Sequence, residues 1–150
     1  MVLEPYDDED ISSDDRIVRR IIPEQHVVPD EHSGRCRLST KLMKPSSPER
    51  GGGMSVDLLE LIVAAGVPVE EFLSKPPFTA AVCFTAGSAR EKDLMIGKDP
   101  IDNAEDQNPF HGEVWSKIGN PNKFSRSQSN ALLAASSWVI RIDGVDIVTE

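Results

Sequence analysis

The sequence predicts an α+β domain, with a small mixed or antiparallel sheet packed against three to four short helices and a C-terminal β-hairpin. Three observations carry this expectation. "RIVRRI" and "FTAAVCFTAG" are β-branched or continuously apolar runs of strand length. "SVDLLELIVAAG" and "SRSQSNALLAASSWV" carry helical spacing with capping residues. The elements do not alternate regularly as strand and helix, so a parallel doubly wound sheet is not expected.

Met1 to Asp15 form an acidic opening in which Glu4, Asp7, Asp8, Glu9, Asp10, Asp14 and Asp15 meet no base. The segment is expected as a flexible, solvated arm over 1–15, followed by a single domain over 16–150. "RIVRRI" predicts a strand near residues 17 to 22, with an extended continuation at Val27 and Val28 after Pro23. Arg19 and Arg20 then point to opposite faces, and the one on the buried side needs a partner. A position at a sheet edge, paired with the acidic arm, supplies the simplest partner. "RCRLST" predicts a short strand, and "KPSSPERGGG" marks a Pro/Ser/Gly-rich loop over 44–53. Its glycines precede Met54 and Ser55 rather than the lysine and hydroxyl of a phosphate loop.

"SVDLLELIVAAG" is expected as a core helix capped by Ser55, with Asp57 in its first turn and Gly66 at its end. "PVEEFLSK" is a second helix launched by Pro68, stopping before Pro76 and Pro77. "FTAAVCFTAG" is a buried strand, and "SAREKDLMIG" a helix capped by Ser88 and Glu91, whose free amides near Gly87 and Ser88 are an anion-binding candidate. "NPFHGEVWSKI" re-enters the sheet as a strand from about Gly112 to Ile118. Ser125 and Gln128 cap the last helix. Asp143-Gly144 inside "IRIDGVDIV" is the hairpin turn.

Composition bounds the function. The 150 residues are 39% hydrophobic and only 5% aromatic, so the core is aliphatic, with Phe72, Phe78, Phe84 and Phe124 as larger fillers. A net charge of −9 argues against general nucleic-acid binding, except through a local basic strip such as "RIVRRI". Apolar runs are far short of a membrane span and no secretory signal is readable, so a cytoplasmic protein with reduced Cys36 and Cys83 is expected. Cys83 reads as an inert core thiol. His26, Asp30, Glu31 and His32 are close in sequence but match no metal-ligand spacing; no metal is assigned and no cofactor can be named.

The polar residues at strand ends make the candidate site. His111 and Asp99 are the catalytic candidates; Arg19, Ser39, Thr40 and Asn108 are the ligand-binding candidates. A histidine there moves protons near neutral pH, while an arginine with a hydroxyl holds a phosphate or carboxylate. The competing structural reading of "NPFH" is a turn made by Asn108 and Pro109, with Phe110 plugging the core and His111 bonded to a nearby carbonyl.

In order, "RRI", "RLSTKLMK", "MSVDLLELI", "KDP" and "NPFHGEVWSKI" resemble a widespread set of small uncharacterised bacterial proteins with an SVD or SVN turn and a DP followed by an NPxH turn. The resemblance covers about residues 16 to 139 and implies no known reaction. It marks Arg19, Ser39, Ser55, Asp57, Asp99, Asn108 and His111. Motif order is also similar to that of ADP-ribosyltransferase-like folds through Arg19, Ser39, Thr40 and Glu113, but the STS triplet and the ExE or QxE pair are missing.

Two functions fit. The first is a noncatalytic accessory domain whose acidic arm meets a protein partner. The alternative is a small enzyme or sensor for a nucleotide or other phosphorylated ligand, in which Arg19, Ser39 and His111 line one concavity.

Overall fold

The structure is a computed structural model that describes residues 3–46, 52–103 and 107–147. Nine strands are described: β1 (Arg16–Ile21), β2 (Val27–Pro29), β3 (Cys36–Leu38), β4 (Met54–Leu58), β5 (Ala80–Thr85), β6 (Leu94–Lys98), β7 (His111–Ser116), β8 (Ser137–Ile140) and β9 (Val145–Asp146). Between them lie α1 (Pro23–His26), α2 (Leu59–Ala64), α3 (Val69–Leu73), α4 (Ala86–Arg90), α5 (Arg126–Ala134) and one 3-10 turn at Thr40–Leu42.

The expected α+β class is what the chain adopts. Six strands form a sheet in the order β6-β7-β4-β1-β5-β8, antiparallel throughout. A second sheet, β2-β3-β9, joins an antiparallel pair to a parallel one. Both faces of the large sheet are buried. Ile17, Val56, Val82 and Phe84 meet Leu132 and Leu133 of α5 and the small sheet's Leu38 and Val145 on one side. Val18, Ala81 and Cys83 meet Leu59 and Ile62 of α2 and Leu73 of α3 on the other. Among the described residues, no helix is long and apolar enough to cross a membrane.

Three elements depart from expectation for readable physical reasons. "MSVDL" is a strand, so Ser55 and Asp57 do not start a helix; they pair across the sheet with Glu113 and His111 while Val56 enters the core. The helix begins only at Leu59 and has no side-chain cap. "SAREKDLMIG" divides: Thr85 caps α4 by accepting from the Ser88 amide, Asp93 turns the chain at φ 60°, and β6 follows. The amides that were candidates for an anion are taken, Ala86 N by Asp15 O, Gly87 N by Ser13 O and Ser88 N by Thr85 Oγ1. Finally, Asp143 and Gly144 do turn the chain, with Gly144 at φ 78°, but the flanking strands part: β8 pairs with β5 and β9 with β3. The capping box of Ser125 and Gln128 forms as expected.

The acidic opening is not a free arm. Asp8 N donates to Ile96 O on the outer strand β6, Asp7 Oδ1 accepts from Ile96 N, and Arg90 pairs with Asp7 at 3.2 Å. Ile11 is buried, and the Tyr6 hydroxyl donates to Lys98 O at 2.7 Å. Polar backbone on a sheet edge is a liability that this segment covers. Gly97 makes room for it, since a Cβ there would collide with the Tyr6 ring. Gly97→Ala is therefore expected to destabilise the fold by about 1–3 kcal/mol through overpacking and to expose the first 15 residues to protease. Adding Tyr6→Ala should restore part of the stability loss; denaturant melts of the single and double variants check this, and additive losses would refute the contact.

Candidate functional site

β1 pairs with β5 along its whole length, from Arg16 to Ile21, but with β4 only through Ile17 and Val18. Beyond Val18 the two strands separate, and a concavity of about 560 Å³ opens at the parting. Its lining includes Arg19, Arg20, His26, Lys41, Lys44, Ser46, Ser55, Asp57, Asn108 and His111. Of the residues singled out from the sequence, Arg19, Ser55, Asp57, Asn108 and His111 thus come together from β1, β4, the "NPFH" turn and the start of β7.

Arg19 is buried in the floor. Its Nε donates to Leu42 O at 2.9 Å, and its Nη1 donates to Ser55 O at 2.9 Å and Ser46 Oγ at 3.2 Å. The expected edge position and pairing with the acidic segment do not occur, because β1 is an interior strand and carbonyls surround the guanidinium. Burial pushes its pKa down to about 10, against the pull of Glu113 and Asp57, so it remains a cation at neutral pH.

Arg20 instead forms a bidentate pair with Asp57, at 2.8 and 3.2 Å. Its guanidinium lies over the Phe72 and Phe78 rings. Asn108 Nδ2 donates to the same carboxylate at 2.7 Å, and Asn108 Oδ1 accepts from Phe110 N. The turn expected for "NPFH" is therefore present, and it also ties the loop to the sheet. Phe110 packs edge-on against Phe72.

His111 is 3% exposed. Nδ1 lies 2.8 Å from Asp99 O, and a carbonyl can only accept, so Nδ1 carries a proton. Nε2 meets Ser55 Oγ at 2.6 Å, and in the neutral ring it is the acceptor of that pair. The Asp99 carboxylate stands 3.6 Å from Nδ1, and Glu113 stands 3.9 Å from Nε2. A hydroxyl, an imidazole and a group that orients the imidazole are the parts of an activated nucleophile.

Ser39 and Thr40 fall elsewhere. Ser39 Oγ accepts from Lys41 N and Ser39 N donates to His26 O, so this serine shapes the 3-10 turn that presents the lysines; neither it nor Thr40 lines the concavity. Asp99 acts on His111 from behind rather than lining the opening. His26 is drawn inward, where Nδ1 accepts from Ile22 N, and Asp30 Oδ1 accepts from His32 N. No group of three His, Cys, Asp or Glu among the described residues is placed to hold a metal ion. Cys36 and Cys83 are both free thiols, and Cys83 is buried. The part of the Pro/Ser/Gly-rich loop at 47–51 lies outside the described residues.

Sequence reasoning assigned Ser55 and Asp57 to a helix and passed over Lys41 and Lys44. The signal for the first pair was present: Met-Ser-Val-Asp-Leu alternates apolar and polar residues at the period of a strand. No family model matches this chain, and no significant match is found to a curated protein or a solved structure.

Two stability consequences follow from this geometry. Asp57→Ala strands Arg20 and Asn108 and should cost about 3 kcal/mol in urea unfolding, whereas a loss under about 1 kcal/mol would contradict a buried pair. Burial, with Arg19 nearby, pushes His26 down from 6.5 to about 4. Between those values the unfolded chain takes up a proton that the folded one refuses, so stability falls as pH drops through that window. The melting temperature of His26→Gln should decline less steeply than that of the wild type from pH 6.5 to 4; parallel curves would remove His26 as a cause.

Proposed function

We propose that the protein is a small enzyme or sensor that takes a nucleotide or another small phosphorylated ligand into the concavity between β1 and β4. One observation carries this reading. In a chain of net charge −9, the lining gathers Arg19, Arg20, Lys41 and Lys44, and its one carboxylate among the described residues, Asp57, is already paired with Arg20. Lys41 and Lys44 are exposed, so their charges are open to a ligand, while Arg19 adds a fixed positive field from the floor. Ile22, Pro45, Phe78 and Ile101 give the same lining an apolar side suited to the remainder of such a molecule. His111 supplies a proton acceptor or donor beside the ligand.

The accessory, protein-binding reading draws on the acidic segment and on the lack of a complete chemistry motif in the sequence. Asp7 and Asp8 are engaged on β6 and Arg90, and the meeting of Arg19, Asn108 and His111 in one concavity favours the ligand-binding reading.

The test is a thermal-shift titration with inorganic pyrophosphate and mononucleotides. At a hundredfold excess over Kd the expected rise is about 5 °C or more, by mass action on the native state. Lys41→Ala combined with Lys44→Ala, both with exposed side chains, should remove at least half of it. A flat response to every anion, or equal responses of wild type and variant, would overturn the proposal.

A further inference from the structure

We infer that Ser55 is a nucleophile, activated by His111 and oriented through Asp99, and that the chain cleaves an ester whose acid or alcohol part carries an anionic group such as phosphate. The substrate class rests on the anion-binding reading above; the nucleophile rests on separate geometry. Ser55 is half-buried, lines the concavity, and holds its Oγ 2.6 Å from His111 Nε2. The ring cannot turn away without losing the bond from Nδ1 to Asp99 O at 2.8 Å. That bond also selects the tautomer in which Nε2 has a lone pair for the hydroxyl proton.

The backbone of Ser55 is held on both sides. Its amide donates to Ser46 Oγ at 3.2 Å and its carbonyl accepts from Arg19, so the hydroxyl sits on a fixed strand end rather than a mobile loop. The Ser55 hydroxyl also satisfies the second ring nitrogen of a buried histidine; what goes beyond that is its position in the wall of the concavity, on the path of an incoming ligand.

In the first step the Ser55 proton passes to His111 Nε2 as Oγ bonds the ester carbonyl carbon. The bond from that carbon to the leaving oxygen then breaks, and the departing alcohol takes the proton from His111. Water, deprotonated by the same nitrogen, attacks the acyl-serine, and His111 returns the proton to Ser55 as the acid leaves. The balance is one ester and one water to one acid and one alcohol, with no redox change. Negative charge developing on the carbonyl oxygen forms within the positive field of Arg19 and the lysines.

The experiment uses the full chain and diisopropyl fluorophosphate, a neutral reagent that phosphorylates activated serines with loss of fluoride and does not depend on the lysines. Intact mass and peptide mapping should show one adduct, at Ser55, absent in Ser55→Ala. His111→Gln should slow its formation by about 10²-fold or more, with circular dichroism confirming that each variant is folded. Because removing a buried histidine can unfold the chain, Asp99→Asn provides the second arm: it keeps the Asp99 carbonyl that holds Nδ1 and removes only the carboxylate charge 3.6 Å away. Labelling should therefore slow less than in His111→Gln at unchanged secondary structure, and no slowing would remove the carboxylate from the activation. No adduct on folded wild type, an adduct at another serine, or equal rates in a folded His111→Gln would overturn the nucleophile. Repeating the labelling with pyrophosphate separates the two readings: protection of Ser55 supports the anionic substrate, while full labelling without protection leaves the nucleophile standing and removes the phosphorylated class.

Discussion

The guanidinium of Arg19 is the contact on which the site depends. An interior strand that leaves its neighbour exposes backbone carbonyls to a poor solvent, and each buried carbonyl must find a donor. Arg19 supplies donors at the parting of β1 and β4, taking Ser55 O on one strand and Leu42 O at the end of the 3-10 turn. The gap is thereby held open instead of collapsing or closing into a continuous ladder. A lysine has one nitrogen and no planar fork, and would not span these acceptors with the same rigidity.

The rest of the wall is built along β4. On its other edge Ser55 and Asp57 pair in register with Glu113 and His111 of β7, while Asp57 still faces Val18 of β1 at the last paired position. Asp57 is satisfied by Arg20 and Asn108, which fastens the "NPFH" turn over the end of β4. The same turn brings His111 to Ser55. A local turn and a functional site are therefore one object here: the Asn108 side chain orders the loop, and the ordered loop aims the imidazole.

Charge is sorted along the molecule in a way that the net value conceals. The opening segment lies along β6, where the Asp7 carboxylate meets Arg90, at the sheet edge two strands away from β4. Basic residues collect around the concavity, where Arg20 is neutralised by Asp57 and the exposed lysines are left to solvent. Oppositely charged regions at separate places reduce competition between the acidic segment and an incoming anion, because exposed charges are screened beyond about 10 Å at moderate salt.

The sequence by itself determined those features that depend on a few neighbouring residues. The runs at β1 and β5, the capping box of α5, the Asn108 turn and the mixed class of the fold were all legible, since each is set by local dihedral preference, side-chain caps or apolar periodicity. Arg19, Asn108 and His111 were legible as candidates through their position at strand ends. "MSVDL" carries both a strand alternation and the start of a helical stripe, and the tertiary structure decided between them, because Val56 gains its burial and Ser55 its partners from β7, far along the chain. It also decided that β8 and β9 separate, that Ser39 supports a turn rather than the site, and that Ser55 replaces it beside His111. Register between distant strands is set by long-range hydrogen bonds and shared burial, and no window of sequence contains both sides of such a pair.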